Sequence, residues 1–182
     1  MKRLRGKLTL AVVAAGALAI GIVTVAVAGG GHSIRERLTG YQEVPALSTP
    51  GVGKFRASIN RGASEIRYRL TYGGLESPAT QSHIHFENRT NAGPIVVFLC
   101  TNLGNGPAGT QACPPAGGTI SGTIRPADVG AGAAAQGLGA GEFDELVRAI
   151  RAGATYVNVH TTGRPGGEIR AQLEDNRHGD KD

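Results

Sequence analysis

The chain has 182 residues and 29 glycines, with no tryptophan and aromatics at only 4%. This composition suits many short strands joined by Gly-rich turns and leaves little room for helical architecture. The formal charge is +5, but Lys2, Arg3, Arg5 and Lys7 supply four of the 19 basic residues. Beyond them fifteen basic residues face fourteen acidic ones, so no basic stripe runs along the sequence to track a phosphate backbone, and nucleic-acid binding is disfavoured.

Residues 1–28 read as a membrane-targeting leader. The basic n-region is followed by an uncharged apolar run from Leu8 to Val27, and Ala26-Val27-Ala28 forms an A-x-A site that places cleavage between Ala28 and Gly29. The alternative is an uncleaved N-terminal anchor, because a run of this length just spans a bilayer. Residues 29–37 read as a linker. The remaining ~140 residues suffice for one domain that buries about two thirds of its chain surface.

The first strand is expected from Leu38 to Val44, ended by Pro45. In the next, Gly51 to Asn60, Phe55, Ala57 and Ile59 alternate with Lys54, Arg56 and Ser58. Asn60-Arg61-Gly62-Ala63 forms a tight connection. From Glu65 to Tyr72, Ile66, Tyr68, Leu70 and Tyr72 alternate with polar residues, which predicts a sheet with one buried and one wet face. Gln81 to Phe86 and the continuous apolar run Ile95 to Cys100 follow. Cys100 and Cys113, the only cysteines, bracket a Gly/Pro-rich loop, and in an exported chain they predict a disulfide worth ~3 kcal/mol. Gly118 to Ile124 is another strand. Residues 130–141 carry no strong signal. In 142–152, Phe143, Leu146, Val147 and Ile150 recur at helical spacing, with acids in the first turn, Arg148 and Arg151 in the last, and Gly153 as C-cap. Thr155 to Thr161 and Glu168 to Leu173 are the last strands, and 176–182 is a polar tail. About eight strands and one short helix near the C-terminus predict an all-β fold, a Greek-key antiparallel sandwich or barrel.

Several segments together resemble the CHRD (chordin-type) domain family. They are Leu-Thr-Gly-Tyr-Gln-Glu-Val-Pro at 38–45, His83-Ile84-His85, Leu146 to Gly153 leading into Tyr-Val-Asn-Val-His-Thr at 156–161, and Pro-Gly-Gly-Glu-Ile-Arg-Ala-Gln-Leu at 165–173. The resemblance covers 38–175 and is to the single-domain exported form of the family. It implies an extracytoplasmic protein, secreted, periplasmic or at the cell surface. Such a protein would act as a non-enzymatic binding or envelope module on a protein or other envelope ligand, and would meet the membrane only through an uncleaved N-terminal segment. Chordin's growth-factor binding does not transfer with the fold.

One constellation carries chemistry. His83 and His85 are two apart in a strand and so share a face. In 155–161, Tyr156, Asn158 and His160 share the face opposite Val157 and Val159. If the two strands meet, three imidazoles converge, a donor set for one Zn or Cu ion. Glu43, Glu87 and Asn158 are candidates to hold those ligands from behind. This is the alternative reading, a mononuclear metal-binding protein; otherwise the histidines are surface or hydrogen-bonding residues of the scaffold. The H-x-H pattern is similar to that of copper-zinc superoxide dismutase, but only His32 and His178 remain, both terminal, so a bridged two-metal site is excluded. Gly104 to Gly109 matches G-x-G-x-x-G but contains Pro107 and opens no helix, so it lacks the dinucleotide mechanism. Glu168 and Arg170 are expected to form a surface ion pair.

Overall fold

Period-two alternation builds half of the sheet. A computed structural model describes residues 32–174; the expected leader and cleavage point, and the polar tail, lie outside the described residues. In β2 (Val52–Ile59) and β3 (Ile66–Gly73) every second side chain is buried, and Phe55, Ile59, Ile66 and Leu70 enter one core. Strand β1 (His32–Thr39) pairs antiparallel with β2 along its whole length. This corrects the expected linker at 29–37 and the strand at 38–44: the chain is already in the sheet at residue 32 and leaves it at Thr39 for a 3-10 turn, Gly40–Gln42, and a cis Val44–Pro45 peptide. Ile34 and Leu38 are buried, but half-buried Glu36 stands between them and hides the alternation.

The remaining strands are β4 (Ala79–Phe86), β5 (Ile95–Thr101), β6 (Gly118–Ile124), β7 (Thr155–Thr161) and β8 (Ile169–Leu173), with α1 (Phe143–Arg151) before β7. The sheet order is β5-β4-β7-β8-β1-β2-β3-β6, and every pair is antiparallel. Residues 74–78 carry the chain from β3, near one end of that order, to β4, near the other. So short a link requires the sheet to curl over itself into a nearly closed, eight-stranded barrel. At the seam between the end strands, Gln111 Nε2 donates to Leu99 O of β5 and to Ser121 O of β6, and the Tyr68 hydroxyl also donates to Leu99 O. The Cys100–Cys113 disulfide closes the loop between them.

The apolar stripe of α1, Phe143, Leu146, Val147 and Ile150, joins the same core. Among the described residues no helix is long and apolar enough to cross a membrane.

Strands β7 and β8 are buried at every position. One face packs into the core through Val157, Val159, Ile169, Ala171 and Leu173. The polar residues of the other face are buried too, and contacts from loops 40–47, 87–94 and 162–168 show what lies over them. This corrects the expected surface ion pair. Glu168 and Arg170 are 0% and 1% exposed and are not paired with each other. Glu168 accepts hydrogen bonds from Thr49 Oγ1, Thr161 Oγ1 and the Glu76 amide. Arg170 donates to Asn88 O and Asn91 O and lies 3.4 Å over the Tyr156 ring. The alternation was right, but the face it assigned to water lies beneath loops.

Candidate metal centre

The register of β4 against β7 decides the site. His83 is opposite Asn158, His85 opposite Tyr156 and Gln81 opposite His160. His83 and His85 share a face by parity, and His160 lies on the adjoining strand, on the same side. The three ring centroids are 5.0 to 6.0 Å apart. One nitrogen from each ring lies within 4.8 Å of the others. All three side chains are buried, His83 completely.

The second nitrogens of His85 and His160 are already committed. His85 Nδ1 lies 2.8 Å from Gly93 O, and His160 Nδ1 lies 2.8 Å from Pro165 O. A carbonyl oxygen only accepts, so both Nδ1 atoms carry the hydrogen, and in the neutral rings both Nε2 atoms are lone pairs. His85 Nε2 and both nitrogens of His83 are buried with no hydrogen-bond partner among the described residues. Such orphaned buried polar atoms are uncommon in native folds and call for an explanation. Ligating histidines characteristically donate their far N–H to a backbone carbonyl, as these two do.

The surroundings hold the rings uncharged. Burial pushes His83 far below the ordinary imidazole range, and the neighbouring His160 and His85 push the same way. Burial lowers His85 to about 4, against the opposing bond to Gly93 O. His160 is lowered by burial too, offset in part by Pro165 O. Neutral imidazole is the form that binds a metal. Phe98 stands edge-on to His83, with centroids 4.5 Å apart, and Tyr156 stacks parallel on His85 at 4.6 Å. The second face of Tyr156 takes Arg170, whose hydrogen bonds hold the loop that supplies Gly93 O.

Asn158 and Glu43 join this cluster. The Asn158 side-chain amide lies 3.0 Å from His160 Nε2. With the His160 hydrogen on Nδ1, that contact is favourable when the amide presents Nδ2–H. Glu43 is 7% exposed and interacts with Asn158; burial raises its carboxyl to about 7 against the opposing pull of Arg170. Gly167 backs both: a Cβ there would lie 2.5 Å from Glu43 Oε1 and 2.8 Å from the terminal amide of Asn158. Glu87, the third expected supporting residue, stands apart. Its carboxylate caps the Asn88 amide in the covering loop and makes no hydrogen bond to the imidazoles. Sequence reasoning missed Gly93, Pro165, Gly167 and Arg170. The first two act through backbone carbonyls and the third through a missing side chain, features that leave no mark in residue chemistry.

Three buried, uncharged, convergent nitrogen donors suit a borderline or soft cation such as Zn or Cu, not Ca or Mg, which take oxygen. At metal–nitrogen distances of ~2.0–2.1 Å, tetrahedral ligands stand about 3.4 Å apart. The three rings therefore close by at most about an ångström and a half to meet one ion.

Neither a curated protein nor a solved structure matches the chain. The model of the CHRD domain, a domain of extracellular type, matches residues 34–173. The match takes in seven of the eight strands whole and all but the first two residues of β1, so it spans the fold as well as the histidine cluster. The chain belongs to the CHRD domain family.

Proposed function

We propose that the protein is an exported, non-enzymatic binding module whose ligand is a single zinc or copper ion held by His83, His85 and His160. The observation that carries this reading is the set of orphaned nitrogens of His83 and His85, which converge with a nitrogen of buried His160, while the far nitrogens of His85 and His160 are tied to carbonyls. A scaffold role alone gives no reason to bury three histidines together and leave both nitrogens of His83 and Nε2 of His85 unsatisfied. Asn158 touches the His160 nitrogen that would face the ion, and Glu43 in turn touches Asn158. Both cysteines are in the disulfide, so no thiolate competes for the ion.

Elemental analysis of the protein, purified without chelator and then supplied with zinc or copper, tests this. The expected result is about one ion per chain, falling to background in His83→Ala and in His160→Ala. The near-isosteric His83→Gln guards against simple misfolding, and circular dichroism checks each variant. Undiminished stoichiometric metal in the variants, or none in the wild type, overturns the reading and leaves a polar cluster that orders the scaffold.

The disulfide and the family are consistent with a location outside the cytoplasm. The uncharged run at 8–28 is proposed as the export signal, cut after Ala28. The intact mass of the exported protein checks this: a chain beginning at Gly29 supports cleavage, and a full-length chain supports an anchor.

A further inference from the structure

We infer that the outer face of β1, β2 and β3 is a docking surface for a bilayer rich in anionic phospholipid. The sequence hides this surface, because no two of its basic residues are adjacent. Pairing assembles it. Arg35 lies opposite Arg56, which lies opposite Arg69, so one row across three strands is all arginine. In the row on one side Arg37 faces Lys54, and in the row on the other side Arg67 faces Ser58. All six bases are exposed on one side. Glu36, the acid within β1, belongs to the alternate positions with Ile34 and Leu38.

Residues directly opposed across strands hold their Cβ atoms ~5 Å apart, and like charges there are destabilising. The fold offers this row little relief. Among the described residues Arg35, Arg37, Lys54, Arg56 and Arg69 form no ion pair; only Arg67 does, with Glu65 at the sheet's end. Outside this face, nine basic residues stand against fourteen acidic ones from Gly29 onward. The near-neutral chain is thus a segregated one, with a concentrated cationic plane and an anionic remainder. A cationic plane whose one internal counter-charge is Glu65 at its edge is complementary to an external anion.

The shape of the face selects the kind of anion. It is a sheet surface, and none of its six bases lines a described cleft. Its other exposed positions are serine, threonine and valine, so it offers no aromatic ring on which a nucleobase could stack. A plane of spaced charges matches a plane of headgroups. The chain's course points the same way. Only Gly29, Gly30 and Gly31 separate the uncharged apolar run from β1, a span of ~10 Å when extended. In a chain that keeps this run, the strand that opens the basic face follows directly on the membrane-directed segment.

Co-sedimentation with vesicles tests the surface. The protein used is the chain from Gly29 onward, which carries all eight strands and the whole described core. Vesicles of phosphatidylcholine alone are compared with vesicles containing equal phosphatidylglycerol. Each basic residue near an anionic surface contributes about a fivefold factor. The triple variant R35Q/R56Q/R69Q is therefore expected to partition roughly 100-fold more weakly onto the anionic vesicles. The variant R148Q/R151Q/R164Q, with the same change in net charge off the face, is expected to stay within about threefold of wild type. Salt at ~1 M, where the screening length is about 3 Å, is expected to release the wild type. The face triple should melt at or above the wild-type temperature, since it relieves like-charge repulsion, so lost binding cannot be assigned to unfolding. Equal wild-type partition onto both vesicles, or equal loss in both triples, overturns the proposal. So does capture by heparin or a single-stranded oligonucleotide without preference for anionic vesicles.

Discussion

Gly167 shows how a residue with no side chain can set a site's chemistry. Its φ of +125° is one that residues with side chains rarely adopt, and Glu43 and Asn158 occupy the space a Cβ would fill. Substitution by alanine forces those two groups outward while leaving the three imidazoles chemically unchanged. Gly167→Ala is therefore expected to destabilise the fold by about 1–3 kcal/mol through backbone strain. It is also expected to weaken metal binding 10- to 100-fold, the usual cost of disturbing groups that touch the ligands. Thermal melts and a competitive chelator titration read the two effects separately. A variant that melts lower yet binds metal as tightly as wild type would show that Asn158 and Glu43 do not support the ligands.

The strands show how far such a site can be read before folding. Parity along β4 puts His83 and His85 on one face, and parity along β7 puts His160 with Asn158, as the alternation requires. The boundaries of β6 and β7 follow from Pro126 beyond one and the Gly153 turn before the other. Convergence of the rings is different in kind: it needs β4 beside β7, and these are separated by β5, β6 and α1 in sequence. Nothing in either segment encodes that neighbour. The basic face is the same lesson at larger scale. Each of β1, β2 and β3 displays its own alternating bases, but their sum in sequence is cancelled by acids that the fold places elsewhere. Burial of Glu168 and Arg170 was equally hidden, because a strand's polar parity reports which side is not the core and says nothing of loops folded over that side. The start of β1 was obscured by Glu36 at an otherwise apolar parity. The CHRD-like segments were legible because they are local runs, including the Gly-Gly-Glu-Ile-Arg turn and strand that carry Gly167 and Arg170.

At the scale of the whole molecule, a barrel that encloses uncharged imidazoles ties its stability to pH and to metal. Without metal, His83, His85 and His160 are held below the ordinary imidazole value of 6.5 in the fold, while the unfolded chain titrates near it. The unfolded state thus binds more protons below pH 6.5. Their contribution is complete above that value and is lost as pH falls toward the folded values, about 4 for His85. At pH 5 His85 alone should cost about 2 kcal/mol of stability. Glu43 acts in the opposite sense: its folded value of about 7 lies above the unfolded 4.5, so its contribution is complete below 4.5 and lost as pH rises through 7. Three imidazoles outweigh one carboxyl, so the metal-free protein should lose stability between pH 6.5 and 4.5. A bound ion removes the lone pairs from competition with protons and stabilises by mass action, about 4 kcal/mol at a thousandfold excess over Kd. Urea melts at pH 7 and pH 5, with chelator and with zinc, are expected to show an acid-labile metal-free form and a zinc-loaded form that is more stable at both. The zinc increment should vanish in His83→Gln. An increment that survives that substitution would place the ion elsewhere on the chain, and a metal-free protein as stable at pH 5 as at pH 7 would mean that the imidazoles take up protons without leaving the fold.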